Sequence, residues 1–94
     1  MNGKCAVCGR AAPVYVACSG YGPVSIAYCE SCLRNAMEPY SIVVAYIACA
    51  GRFPEDINEA YQRDVRRMLP LWGKSESEFI RDVNEAIREM EEYP

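Results

Sequence analysis

Two Cys-x2-Cys pairs, Cys5-Ala6-Val7-Cys8 and Cys29-Glu30-Ser31-Cys32, stand with twenty residues between them. Two thiolates at i and i+3 reach one ion only if the backbone turns tightly, and Gly9, directly after the first pair, eases such a turn. Two pairs supply four soft ligands, the set a tetrahedral zinc ion takes when no position is left for water. A closed site of that kind is structural rather than catalytic. Four thiolates can also hold an iron–sulfur cluster, and cysteines can pair as disulfides or sit in a core by chance. Paired spacing in a reducing compartment favours metal over disulfides. Cys5, Cys8, Cys29 and Cys32 are therefore the expected ligands of one structural Zn2+.

A chain of 94 residues allows one domain. At this length only about two-thirds of the unfolded surface is buried, so a metal staple would add a good deal to a modest core. The apolar fraction of 51% and charged fraction of 24% are those of a globular protein and argue against disorder. The net charge of −3 speaks against gripping nucleic acid through bulk charge. Met1-Asn2-Gly3-Lys4 is followed by no apolar stretch of the kind a secretory signal carries. The longest apolar run, Ile42 to Ala50, is too short to span a bilayer. These features lead to the expectation of a soluble, cytoplasmic protein without a membrane role.

The spacing predicts a small α+β zinc-binding domain: a treble-clef-like knuckle and β-hairpin, then three to four α-helices. Residues 1–38 form the finger, and 39–94 form a helical extension packed on it within a single domain. Pro13–Cys18 reads as a strand with Val14 and Val16 on one face. Ser19-Gly20-Tyr21-Gly22-Pro23 is a loop, and Val24–Tyr28 returns as the second strand. A first helix starts at the second cysteine pair and breaks near Glu38, ahead of Pro39. A second runs from Tyr40 to Ala50, ends at Gly51 and is apolar all round, so it is expected to be buried on most sides, within the monomer or at a dimer contact. A third starts at Phe53-Pro54-Glu55-Asp56, with Ile57, Ala60, Tyr61, Val65, Met68 and Leu69 on one stripe, and stops at Pro70 and Gly73. Ser75 and Glu78 form a capping box that opens a fourth, whose inner face is Phe79, Ile80, Val83, Ala86, Ile87 and Met90.

Nothing else in the chain suggests chemistry. There is no histidine, the usual general base near neutral pH. Cys49 is expected to be a small buried residue on the apolar helix, and Cys18 to lie near the loop, where it could be exposed. A reactive thiol would need a positive neighbour. The chain is thus expected not to be an enzyme. Its tyrosines suit an interface; Tyr21, flanked by glycines, is the first candidate for a contact residue, and Trp72 is either a lid on the core or a partner anchor.

Cys5-x2-Cys8-Gly9-Arg10, then Gly22-Pro23-Val24 and Ile26-Ala27-Tyr28-Cys29-x2-Cys32-Leu33, resemble a treble-clef zinc finger, and within that class the N-terminal zinc-binding domain of the ClpX unfoldase family. The resemblance covers about the first forty residues. It implies that Cys5, Cys8, Cys29 and Cys32 are the ligands, that the domain dimerises, and that it binds adaptor or substrate proteins. No ATPase module follows, so unfoldase activity is not implied. The leading functional expectation is a zinc-stabilised protein-interaction module with a possible homodimer, a small adaptor or inhibitor of the kind phage and mobile elements encode. The alternative is a nucleic-acid-binding regulator that uses Arg63, Arg66 and Arg67 on the third helix, with Arg10 and Arg34 near the zinc.

Overall fold

Residues 2–92 are described by a computed structural model. They form a three-stranded antiparallel sheet and four helices, in the order β1 (Asn2–Lys4), β2 (Ala11–Cys18), β3 (Ser25–Cys29), α1 (Glu30–Arg34), α2 (Tyr40–Ala50), α3 (Glu59–Trp72) and α4 (Glu76–Glu92). The chain divides into two compact units, Met1–Ile42 and Val43–Pro94.

In the first unit β2 is the central strand. It pairs with β1 in the register Asn2↔Pro13 to Lys4↔Ala11, and with β3 in the register Val14↔Cys29 to Cys18↔Ser25. β1 carries no alternating apolar pattern, and the sequence reading passes over it. Val14 faces the interior, but Val16, expected to share its burial, is 66% exposed. The two lie on one face of the strand, and only the cysteine end of that face is covered.

The first helix is shorter than its apolar spacing predicts. It closes at Arg34, and the chain then turns through Ala36 in the left-handed region at φ 51°. The Ala36 N–H donates to Leu33 O, and the Met37 N–H to Cys32 O. The break thus precedes Pro39, and it carries Met37 into the core.

That turn also places Glu38 against the hairpin tip. Its Oε1 accepts from Ser19 Oγ and from the Tyr28 hydroxyl, each at 2.8 Å, and its Oε2 accepts from the Gly20 N–H at 3.0 Å. Ser19 Oγ in turn accepts from the Tyr21 N–H at 3.0 Å. The loop is folded inward, and Tyr21 is only 4% exposed. This corrects the expectation that Tyr21 is a contact residue: it is part of the core. Burial, followed by the Glu38 carboxylate that accepts its proton and carries negative charge, holds the Tyr28 phenol up at about 12. Hydrogen bonds to charged acceptors contribute about 1.5–3 kcal/mol each. Glu38→Gln removes the charge and, with its carbonyl oxygen turned to the two hydroxyls, faces the Gly20 N–H with an amide NH2. It is expected to cost about 1–3 kcal/mol, seen as an earlier denaturation midpoint and faster amide exchange at Gly20 and Tyr21. Unchanged exchange there would show that the carboxylate does not pin the tip.

In the second unit the apolar α2 is buried along one side only. Val43, Val44, Ile47 and Ala48 are buried, whereas Ala45, Cys49 and Ala50 are exposed. Within a single chain α2 is therefore covered on one side only, and Cys49, expected to be buried, is exposed there, its Sγ 3.8 Å from Met90 Sδ of α4. Gly51 then ends the helix at φ 141°. A side chain at Gly51 would approach Asp56 Cβ to 2.6 Å, a clash that only glycine avoids.

The third helix starts at Glu59, six residues after the predicted Phe53. The intervening residues form a turn in which Asp56 accepts the Arg52 N–H at 2.9 Å. Asn58 is the cap, its side chain accepting the Tyr61 N–H at 3.0 Å. Ala60, placed by the sequence on the inner stripe, is exposed. Nor does Pro70 stop the helix. Its φ suits a helix, and the missing N–H costs one bond on an exposed face. The stop comes at Gly73, left-handed at φ 71°, with the Lys74 N–H donating to Leu69 O. The capping box forms as read: the Ser75 N–H donates to Glu78 Oε1 at 3.0 Å and the Glu78 N–H to Ser75 Oγ at 3.1 Å. On α4, Phe79 and Val83 are fully buried, with the Phe79 ring edge-on to Phe53 and stacked on Trp72. Trp72 is thus half-buried against this core.

Candidate metal centre

Three separate pieces of the first unit bring four sulfurs together. Cys5 and Cys8 come from the turn between β1 and β2, Cys29 from the last position of β3, and Cys32 from α1. The turn is held by Cys5 N–H donating to Arg10 O and Gly9 N–H donating to Cys5 O, each at 2.9 Å, with Gly9 at φ 76°. The Ala6 N–H donates to Ala27 O at 2.8 Å, which ties the turn to β3. The β2–β3 register sets Cys29 opposite Val14 at the covered end of the sheet.

The four Sγ atoms lie within 4.8 Å of one another, and Cys8 and Cys29 approach to 3.9 Å. All are free thiols; Cys5, Cys29 and Cys32 are buried, and Cys8 is exposed. The Val7 N–H points at Cys5 Sγ from 3.4 Å. The thiols are unequal as acids. Burial pushes Cys5 up, but backbone N–H groups of Cys8, Cys29 and Val7 aimed at its sulfur, with the Cys8 thiol, bring it down to about 6. Cys32 is driven well above the usual thiol range, first by burial and then by the thiols of Cys29, Cys5 and Cys8. Such a cluster cannot ionise fully on its own. A divalent cation supplies the charge that four adjacent thiolates need, so the donor set fits a metal ion.

The structure thus brings together all four sequence-predicted ligands, with no carboxylate among them. Cys18 and Cys49 stay apart from the cluster, both exposed. The third-helix arginines proposed for nucleic acid are each matched with an acid: Arg63 with Glu59 at 3.9 Å, Arg66 with Glu76 at 2.7 Å and Arg67 with Asp64 at 2.8 Å. Among the described residues, no helix is long and apolar enough to cross a membrane. The chain matches no family model, no curated protein and no solved structure.

Proposed function

We propose that Cys5, Cys8, Cys29 and Cys32 hold one structural Zn2+, and that the chain is a metal-stapled protein-interaction module, a small adaptor or inhibitor. One observation carries the metal half of this reading: four thiols from three separate elements converge within 4.8 Å. Sulfurs around a tetrahedral zinc at about 2.3 Å lie roughly 3.8 Å from one another, so the cluster needs only a small contraction. With every position filled by sulfur, the ion would have no site for water or substrate, and its role would be to close the knuckle onto α1. The likeness of the first forty residues to the ClpX-type treble clef, and the absence of histidine from the whole chain, support binding over catalysis. The nucleic-acid alternative is the weaker reading, because the chain carries a net charge of −3 and the three arginines of α3 each stand beside a carboxylate.

Metal analysis of the purified protein is expected to return one zinc per chain. Affinity capture from the native lysate, with and without nuclease, then tests the interaction. A stoichiometric protein partner that survives nuclease is expected; recovery lost on nuclease treatment would overturn the reading. Thiol alkylation gives a second check. With zinc in place, iodoacetamide should modify the two exposed thiols outside the cluster, Cys18 and Cys49. After chelation in denaturant all six cysteines should react. Six adducts on the native, zinc-loaded protein would mean that the ion does not shield the cluster.

A further inference from the structure

We propose that the groove between Arg10 and Arg34 on the first unit receives an acidic segment of a protein partner. This rests on the interaction reading above and gives it a surface. The groove, about 350 Å3 in volume, is lined by Arg10, Ala12, Pro13, Tyr15, Ser31 and Arg34, together with Glu30 and Cys29. It joins a second shallow groove that shares Ala12 and Pro13 and is bordered by Lys4.

The charges of this unit are unevenly committed. Its two carboxylates, Glu30 and Glu38, are both engaged: Glu38 by the hairpin tip, and Glu30 by Arg34 at 3.0 Å. The cations are less so. Among the described residues, the Arg10 guanidinium and the Lys4 ammonium have no ion-pair partner. The Arg34–Glu30 pair has both side chains more than two-thirds exposed, and pairs so exposed are worth little and open readily to a competing carboxylate. The same groove is lined by the small apolar side chains of Ala12 and Pro13 and by Tyr15, 52% exposed. Arginine beside an exposed tyrosine over an apolar patch is the composition of a protein contact. Each guanidinium can take a carboxylate through two parallel hydrogen bonds. Nucleic acid is the poorer occupant, because the chain is acidic overall.

The test uses the full, zinc-loaded chain and a fluorescein-labelled Glu-rich peptide as probe. Amide resonances of Arg10, Ala12, Tyr15, Ser31 and Arg34 should shift on titration. Arg10→Glu and Arg34→Glu should each weaken binding by at least about tenfold, with zinc content and the rest of the amide spectrum unchanged. Arg88→Glu, on an exposed position of α4, should bind as wild type. The proposal is overturned by absent or surface-wide shifts, or by a loss of zinc from Arg10→Glu that accounts for its weakened binding. Tighter binding of oligothymidylate at the same residues would replace the partner with nucleic acid, and Arg10-dependent self-association would replace it with a second copy. A lysate partner retained by the double Arg→Glu variant would leave the interaction reading standing and remove this groove from it. A partner missing from wild type as well would remove both.

Discussion

Chelation will unfold the first unit. In small zinc peptides the ion contributes roughly 10–16 kcal/mol at neutral pH, while a whole domain is stable by only about 5–15 kcal/mol. Without the ion, Cys5, Cys29 and Cys32 become buried thiols at the centre of a unit whose other fully enclosed side chains are few. The expected result is collapse of amide dispersion across residues 2–42 once metal removal is verified, and its return on adding zinc. The helices of the second unit should keep their signals, because Phe53, Val65, Met68, Phe79 and Val83 make a core that contains no ligand. Native dispersion in the first unit after complete metal loss would refute a structural ion. Cys5→Ser should act in the same direction, since it withdraws one of the four donors. Acid should weaken the ion's hold as well, because protons compete with it for the thiolates.

The second large effect belongs to Phe79. Its ring is fully buried, 5.0 Å from Phe53 in an edge-on contact and 6.4 Å from Trp72 in a stacked one. Phe79→Ala should cost about 3–5 kcal/mol, enough to take most of the stability from so small a unit. Phe79→Leu keeps more of the volume and should lose less. The readout is the helical circular dichroism signal during thermal unfolding, with zinc present so that the first unit stays folded. A melting curve like that of wild type for Phe79→Ala would show that the aromatic cluster is not the centre of this core.

Much of this was legible in the chain because the signals were local. The Cys-x2-Cys turns, the Ser75–Glu78 box, Gly51 after α2 and the alternation in β2 and β3 all act within a few residues of one another. What the sequence hid was set by distant contacts. Tyr21 looks exposed because glycines flank it, yet Ser19 and Glu38, nineteen residues apart, fold its loop inward. β1 has no apolar pattern, and it exists because β2 offers it a partner. Pro70 looks like a stop, but a proline on an exposed helix face removes only one bond. Cys49 looks buried because α2 is apolar throughout, and periodicity cannot say which side of such a helix meets the core. The four clustered cysteines escaped this problem because the chemistry of a donor set, unlike packing, is written in residue type.

Cys8 is the one cluster cysteine that reaches solvent, and this has a kinetic consequence. If the cluster holds an ion as proposed, an incoming thiolate could approach it at that edge while the three buried sulfurs still held it. Transfer to another carrier then proceeds through a shared intermediate, at a rate that rises with the carrier's concentration. An ion enclosed on every side would leave only as fast as the protein opened. For the proposed zinc ion, tight retention and ready exchange would therefore be compatible, since the first depends on the depth of three sulfurs and the second on the accessibility of one.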